Sequence, residues 1–557
     1  MRTVIDTSTL PVPPDEGRSW WLREALALPE FAGEDYPVVQ GDTTADVVIL
    51  GGGYTGLWTA YQLKRLDPGV DVVVLDQDIC GGGPSGRNGG FVNSYCNDLP
   101  HLTRAFGDAT ALDLCRAGEA SVRAIGAFCD EHDVDAWYRA DGDLSVAASQ
   151  VQVGSWGDLV IAADRLGLAE HFEVLSAEGV RNLVDSPVFR GGVAGRYGAT
   201  VQPARLVRGL RRIVMSMGVR VHERTPVTRF GVGSPAEAET AAGSVRAGAA
   251  VVALNAWAAH WKRFRRAITV RGSYIVLTAP APERLKEIGW TNGAGLSDYR
   301  AALHYVRTTP DGRIAFGVGG MQPNLARSIG PRFAYDEAAL RVCIADLHRM
   351  FPSFIDVPID AGWGGPIDVA GAHLPFFGTL EGGTVHYGLG YTGNGVGPAH
   401  LGGRILAHRV LGRSDEVLDL PLVDADPVRF PPEPIRSPGA LIANQAIRHK
   451  DELEDRGEQP NPIVDFVARL PRRLGYNLGP ERGPRRPGRS AQAPNGVNPG
   501  ADRGQGRAAS HAAPAASTMS SAKRGPVICM PNGTPLGDVP AGTDMAGCPV
   551  MFAGCVL

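Results

Sequence analysis

The sequence predicts an α/β fold, and three observations carry that reading. Strand-like runs and helical stretches alternate from Asp46 to about Gly412. Asp46-Val47-Val48-Ile49-Leu50 is a short apolar run that ends in Gly51-Gly52-Gly53-Tyr54-Thr55-Gly56, and Leu57, Ala60, Tyr61 and Leu63 follow at helical spacing. A second apolar run, Asp71-Val72-Val73-Val74-Leu75, stops at Asp76, twenty residues after Gly56. Strand, glycine turn, helix and strand in this order open a Rossmann-like, dinucleotide-binding sheet.

Each residue of the first turn has a physical task. Gly51 permits the turn, Gly53 lets backbone amides approach a pyrophosphate with no side chain between, and Gly56 lets the helix lie close to the strand. Tyr54 and Thr55 open the helix, whose amino terminus faces the anion. Asp76, at the end of the second strand, can accept from ribose hydroxyls. NAD and FAD share this fingerprint, so it leaves the coenzyme open.

Composition narrows the alternatives. At about 100 to 200 residues per domain, 557 residues hold one large enzyme-sized unit or a few smaller ones. Lys plus Arg at 55 against Asp plus Glu at 59 excludes a general polyanion-binding surface, and no nucleic-acid role is expected. No apolar stretch approaches the roughly 18 residues that would cross a bilayer, and no membrane partner is expected. The 8 cysteines include no Cys-x-x-Cys pair, so neither a disulfide scaffold nor a metal site is expected. Met1-Arg2-Thr3-Val4-Ile5-Asp6 lacks the regions of a secretory signal, and a cytoplasmic protein is the expectation.

The ends of the chain read differently from its middle. Residues 1–39 contain Trp20, Trp21, Leu22, Leu26 and Leu28, an aromatic arm suited to packing on the main body. Residues 414–479 pass through a cluster of Pro427, Pro431, Pro432 and Pro434 and then read helically through Leu441, Ile442, Ala446 and Ile447, an appended helical extension. Residues 480–557, rich in Ala, Ser, Pro, Gly and Arg, form a disordered tail, because such a composition cannot offset the entropy of ordering its backbone. Its Arg485, Arg486 and Lys523 read as solvation.

Two further blocks bear on the coenzyme. Gly81-Gly82-Gly83-Pro84-Ser85-Gly86-Arg87-Asn88-Gly89-Gly90-Phe91 is too glycine-rich for a helix interior and long enough to wrap a second part of a cofactor. Tyr387-Gly388-Leu389-Gly390-Tyr391-Thr392-Gly393-Asn394-Gly395-Val396-Gly397-Pro398 runs into Leu401, Ile405 and Leu406 at helical spacing. A helix amino terminus there can stabilise negative charge on a reduced ring. Together, Ser85-Gly86-Arg87-Asn88-Gly89-Gly90 and Gly390-Tyr391-Thr392-Gly393-Asn394-Gly395-Val396-Gly397-Pro398 resemble the FAD-dependent D-amino-acid/glycine/sarcosine oxidase superfamily, and within it the gamma-glutamylputrescine oxidoreductases. The likeness covers roughly Trp20 to Arg413.

The resemblance implies a glutathione-reductase-type flavoprotein in which an antiparallel-sheet substrate domain (111–189 and 263–362) is inserted into a discontinuous FAD-binding domain (40–110, 190–262 and 363–413). FAD would be held by Gly51, Gly53, Tyr54, Thr55, Gly56 and Asp76, by Gly83, Ser85, Arg87, Asn88, Gly89 and Gly90, and by Gly390, Thr392, Gly393, Asn394, Gly395 and Val396. Val227, beyond the strand Val219-Arg220-Val221-His222, and Asn255-Ala256-Trp257, beyond the buried run Ala249 to Leu254, complete the expected contacts, with plain sheet core as the alternative for both segments.

Amino-acid oxidases of the superfamily carry a carboxylate-clamping arginine before a Leu-Pro-x-x-Gly turn; Ile367 stands in its place here. Asn394 and Gly397 replace the histidine and lysine of sarcosine oxidases. No cysteine lies between Cys343 and Cys529, so non-covalent FAD is expected. The resemblance therefore implies an FAD-dependent amine oxidase or dehydrogenase that oxidises the CH–NH bond of a gamma-glutamylputrescine-like amine to an imine and then an aldehyde, in polyamine catabolism, with oxygen as acceptor and hydrogen peroxide released.

Candidate pocket residues are His304 and Tyr305, on a strand that a Thr309-Pro310-Asp311-Gly312 turn joins to Arg313-Ile314-Ala315-Phe316-Gly317. They point to opposite faces of the sheet, so at most one faces the flavin. Trp363, an aromatic wall, and Asp368, an amine-attracting carboxylate, are the other two; Lys262 and His373 are weaker. A second enzyme reading, oxidation of an N-methyl or D-amino acid, needs an arginine from elsewhere, with Arg271, Arg300 and Arg307 at hand. A reading of another class is a catalytically silent flavin-binding interaction protein.

Overall fold

The computed structural model describes residues 17–33, 37–323 and 329–476. The tail and the first part of the arm lie outside the described residues.

The strand Thr43–Leu50 is the centre of a mostly parallel sheet, because its Val47 to Leu50 run is apolar on both faces and must be covered twice. It pairs in parallel with Val72–Leu75 on one side and Gly243–Val252 on the other, with Leu50 opposite both Leu75 and Val252. Arg220–His222 extends the sheet beyond Val72–Leu75, and Val385–Leu389, then antiparallel Phe376–Thr379, extend it beyond Gly243–Val252. One face is covered by the helices Tyr54–Leu66, Asp108–Glu131, Pro203–Ser216 and Val396–Leu411, which share one apolar core. Gly403 lets two of these helices touch: a Cβ there would lie 2.5 Å from that of Trp58.

The second sheet runs in the order Ile359–Ala370, Ile268–Thr278, Ile314–Pro323, His304–Thr308, Gly295–Asp298, Asp143–Val146, Gly192–Gly195 and Phe172–Leu175. Its pairings are antiparallel except that of Gly295–Asp298 with Asp143–Val146. The expected hairpin is present: His304–Thr308 pairs with Ile314–Pro323, and the Thr309 amide meets the Arg313 carbonyl at 3.1 Å. Helix Glu337–Met350 packs its Leu340, Cys343, Ile344 and Leu347 into the core under this sheet. The fold is thus the α/β arrangement expected, a parallel nucleotide-type sheet beside an antiparallel one.

Three domain boundaries move. Helix Asp108–Glu131, placed in the substrate domain from residue 111, packs on the helices of the parallel sheet; its Phe128 ring centroid is 4.9 Å from that of Trp58. Gly192–Gly195, placed in the FAD domain from residue 190, pairs with Asp143–Val146 in the antiparallel sheet. Ile359–Ala370 stays in that sheet well past residue 363, because its register with Ile268–Thr278 runs on to Ala370.

The arm folds as the helix Trp20–Leu26, with Trp21 and Leu22 buried and Ser19 capping it. The extension forms the helices Arg436–Asp455 and Pro462–Arg473. Among the described residues no helix is long and apolar enough to cross a membrane.

Candidate active site

Parallel strands emit their loops at one edge, and that edge is where the site lies. Gly51, Asp76, Thr225, Ala253 and Gly390 follow the carboxyl ends of five strands. Backbone bonds tie the edge together: the Gly51 amide meets the Leu75 carbonyl at 2.8 Å, the Asp76 amide that of His222 at 2.9 Å, and the Ala253 amide that of Leu50 at 2.9 Å. Over it opens a cavity of about 1080 Å³ that extends to the antiparallel sheet and to the helix Arg436–Asp455. That volume is at the upper end for a ligand site, enough for a dinucleotide-sized group with a substrate beside it.

The first glycine turn fits a closely approaching phosphate. Gly51 has φ +108°, and a Cβ on it would stand 2.5 Å from the Ala253 carbonyl oxygen. A Cβ on Gly56 would stand 1.9 Å from the Gly51 oxygen, so only glycine lets the helix lie this close to the turn. Ser85 Oγ accepts from the Tyr54 amide at 2.9 Å, which fastens the second glycine loop to the helix amino terminus. Thr55 Oγ1 donates to the Tyr391 hydroxyl at 2.9 Å, which fastens the third.

The second loop is held by its own polar side chains. Arg87 donates to the carbonyls of Gly82 (2.7 Å), Gly364 (3.2 Å) and Gly17 (2.7 Å), and burial lowers its pKa to about 10. Asn88 donates to the Pro84 and Ser85 carbonyls and accepts from the Gly90 amide at 2.7 Å. Asp76 accepts from the amides of Gly52 (2.7 Å) and Asp78 (2.8 Å), while desolvation raises its pKa to about 6. In the third loop Thr392 has φ +55°, and Gly395 precedes the helix Val396–Leu411 without a side-chain cap, so the amino-terminal amides remain for an anion.

Of the residues expected to hold FAD, all but Gly56, Gly90, Ala256 and Gly390 line the cavity. Those four act behind it. Gly90 has φ +77° and passes under the Val201 carbonyl, Ala256 is wholly buried, and the Gly390 amide donates to Asp368 Oδ2 at 2.5 Å. Phe230 and Trp261, stacked with centroids 5.6 Å apart, also line the cavity near Val227 and Trp257.

Of the four catalytic candidates, Tyr305 and Asp368 line the cavity and His304 and Trp363 do not. His304 faces the other side of its strand. It is wholly buried, with Nδ1 2.7 Å from Asp298 Oδ2 and Nε2 3.0 Å from Asp346 Oδ2, so it sits in an ion-pair cluster behind the sheet and does not face the cavity. Desolvation lowers its pKa, but the two carboxylates outweigh this and lift it to about 9. Trp363 is also wholly buried; its indole donates to the Arg87 carbonyl at 2.9 Å and its ring meets Trp21 edge to face. Lys262 is exposed and does not line the cavity, whereas His373 does.

Tyr305 sits in a slot that glycines make. Its ring occupies the space a Cβ on Gly317, its cross-strand partner, or on Gly89 would fill. Its hydroxyl is 2.7 Å from Ser273 Oγ, and burial raises its pKa, so it stays a neutral phenol. Asp368 accepts from Asn255 Nδ2 at 2.7 Å as well as from the Gly390 amide, and desolvation raises it to about 7. It joins two loops of the parallel sheet.

Of the three arginines at hand in the sequence only Arg271 lines the cavity; Ser273 and Asn444, which also line it, sequence reasoning missed. The signal for Ser273 was present: polar and apolar residues alternate from Ile268 to Ser273, and Thr269, Arg271 and Ser273 share the less buried face of Ile268–Thr278. Away from the cavity, Cys96 Sγ lies 3.2 Å from Glu119 Oε1, which lies 2.9 Å from His171 Nδ1, a buried cluster that cysteine spacing did not show. None of the three lines the cavity.

Glycine turns that admit a pyrophosphate, aromatic side chains beside them and a long cavity over the strand ends define a dinucleotide-dependent enzyme of the flavoprotein type. The chain matches the family model described as FAD dependent oxidoreductase (DAO) over residues 46–409, and it belongs to that family. It is an FAD-dependent oxidoreductase acting on CH–NH donors, with amines or amino acids as the substrate class. It is 31% identical over 385 residues to a gamma-glutamylputrescine oxidoreductase of Escherichia coli (strain K12), covering 68% of this chain and 87% of that protein. A probable oxidoreductase OrdL of Rhizobium meliloti (strain 1021) is 29% identical, covering 73% of this chain and 91% of that one. Among solved structures, a glycine oxidase of Geobacillus kaustophilus superposes with a TM-score of 0.56 at 18% identity, covering 67% of this chain and 96% of that one. An L-proline dehydrogenase of P. horikoshii does so with 0.56 at 19% identity, covering 69% and 96%.

Proposed function

We propose that the chain oxidises the CH–NH bond of a gamma-glutamylputrescine-like amine in polyamine catabolism, with FAD bound non-covalently and oxygen as electron acceptor. The balance is R–CH2–NH2 plus O2 giving R–CH=NH and H2O2, after which water releases R–CHO and ammonia. One observation carries the substrate choice. Uncharged side chains stand beside the third glycine loop: Ile367 lines the cavity, with Cδ1 3.3 Å from the place a Cβ on Gly393 would take, and Asn394 follows, its Oδ1 accepting from Asn93 Nδ2 at 3.1 Å. That wall suits a reacting carbon that carries no carboxylate.

The cradle would hold FAD through Gly51, Gly53, Asp76 and Ser85 on one side and Thr392 to Val396 on the other. Among the described residues no cysteine lines the cavity, which supports a dissociable coenzyme. When bound, FAD supplies the acceptor for a hydride from the carbon next to the amine. The chain's residues do the rest by position. The neutral Tyr305 hydroxyl, shared with Ser273, offers a hydrogen bond to an amine nitrogen, and the rings of Phe91 and Tyr305, 6.1 Å apart, exclude water from that face. Asp368 accepts from Asn255 on Oδ1 and from the Gly390 amide on Oδ2, so it positions the loops.

The test is anaerobic mixing of the purified, yellow protein with gamma-glutamylputrescine, putrescine, sarcosine and D-alanine. Bleaching of the flavin by gamma-glutamylputrescine, and peroxide formation when air returns, is the expected result. Bleaching only by sarcosine or D-alanine overturns the substrate choice, and retained flavin that no amine bleaches points to the silent binding protein.

A further inference from the structure

Arg271 is a cation facing the cavity. It lies on the cavity face of Ile268–Thr278, two residues from Ser273, and its Nη1 donates to Asn444 Oδ1 at 3.2 Å. No carboxylate among the described residues forms an ion pair with it, and desolvation lowers its pKa. The two other arginines at hand are spoken for. Arg300 is paired with Asp346 and Asp455 in the His304 cluster, and Arg307 is wholly buried over the Trp21 ring; neither lines the cavity. An enclosed guanidinium without an anion is costly, and it is retained where a ligand brings the anion.

Its neighbours say which end of the ligand that is. Arg271 is directly opposite Ile367 in the antiparallel register, so both side chains leave the same face. From that shared point they diverge: Ile367 reaches Gly393 in the third glycine loop, and Arg271 reaches Asn444 and Gly320. The wall is apolar toward the loop and cationic toward the appended helix.

That helix, Arg436–Asp455, begins after the family match ends at residue 409, yet it places Asn444 and Ile447 in the cavity lining. It is bolted to the antiparallel sheet. Asp451 accepts from the amides of Ala301 and Ala302 at 3.4 and 3.0 Å, and Asp455 pairs with Arg300 and Arg349, both at 3.3 Å. Asn444 is itself 5% exposed, which fixes the acceptor that orients the Arg271 fork.

We infer that Arg271, oriented by Asn444, is a carboxylate-binding subsite that takes the end of the substrate remote from the oxidised amine, and that the appended helix is therefore part of the specificity machinery. This rests on the amine-oxidase reading above and adds the substrate's second recognised group: an amine bearing a carboxylate several bonds from the reacting carbon.

The experiment compares the holoprotein with Arg271→Met, Arg271→Lys and Asn444→Ala, each checked for an unchanged flavin spectrum and thermal midpoint. Anaerobic reduction gives the amine Kd and the limiting rate separately, and calorimetry with glutarate, an unreactive carboxylate, gives a binding readout independent of turnover. The expected result is a Kd for gamma-glutamylputrescine roughly 10- to 100-fold higher in Arg271→Met, with partial recovery in Arg271→Lys, an unchanged limiting rate, an unchanged Kd for putrescine and loss of glutarate binding. Asn444→Ala is expected to act in the same sense and more weakly. If gamma-glutamylputrescine and putrescine are affected equally, if only sarcosine depends on Arg271, or if the flavin spectrum shifts while carboxylate binding does not, the subsite is overturned. If no amine reduces the wild type, the proposed reaction fails, and glutarate decides the subsite alone: loss in Arg271→Met upholds it, and equal binding or none in the wild type ends it. Should Arg271→Met not fold, Arg271→Lys and Asn444→Ala carry the same comparison.

Discussion

The two halves of the cavity are built from different materials. Toward the parallel sheet the wall is backbone, with glycine turns at strand ends, a helix amino terminus, and side chains such as Ser85, Asn88 and Arg87 that bond to main-chain groups. Toward the antiparallel sheet the wall is side chain, with Tyr305, Ser273, Arg271 and Ile367 projecting from alternate strand positions and Asn444 reaching in from a helix. A backbone wall is specified by where a Cβ cannot go, so it tolerates little change and suits an invariant coenzyme. A side-chain wall changes by single substitutions while the sheet behind it stays intact, which is how one family serves several substrates.

The contrast breaks most visibly at Gly51. Gly51→Val puts a side chain at φ +108° with its Cβ 2.5 Å from the Ala253 oxygen, and the purified protein is expected to be colourless, with flavin per protein falling from near one to near zero. A yellow Gly51→Val protein would show that the turn is not a backbone cradle. On the other side, His304 supports the substrate sheet from behind. His304→Ala takes the imidazole partner from buried Asp298 and leaves Asp346 to Arg300 and Arg349, and is expected to cost about 3 kcal/mol in urea unfolding, with the amine Kd of the folded variant unchanged. Because its folded pKa is raised from 6.5 to about 9, the stabilisation is whole below pH 6.5 and is lost as pH rises through 9.

Asp368 sits at the seam and titrates in the opposite window. Its carboxyl is raised from 3.8 to about 7 by burial, so the folded state holds its proton longer than the unfolded chain and stability falls as pH rises from about 4 to 7. Asp368→Asn is expected to remove its share of that slope, seen as urea midpoints that decline less steeply between pH 5 and 7, for an overall loss on the order of 2 kcal/mol from the Asn255 and Gly390 bonds. The smallest effect is expected at Ser85→Ala, about 1 kcal/mol for the lost acceptor to the Tyr54 amide, read as a thermal shift of a few degrees.

This difference in materials also explains what could be read in advance. The Gly51-Gly53-Gly56 turn, the Ser85 to Gly90 loop and the Gly390 to Val396 loop were legible because each is a local backbone requirement written in adjacent residue types. The hairpin after His304 was legible for the same reason, and so was the fact that His304 and Tyr305 face opposite ways. Which of the two faces the cavity was not, since it depends on Asp346 arriving from a helix 42 positions away. Trp363 reads equally well as cavity wall or as core until the arm's Trp21 is seen against it. The domain borders failed where a strand changed sheets, as Gly192–Gly195 does, because sheet membership is a property of the partner strand.

Taken alone, the order of residues determined the α/β class and the glycine turns, because periodicity, glycine and local sterics act within a few positions of the chain. Tertiary structure decided that Arg271 stands across from Ile367 and meets Asn444 at a sequence separation of 173. A charge in a cavity is assigned by register and helix docking, and those are settled only when the whole chain has buried its apolar surface.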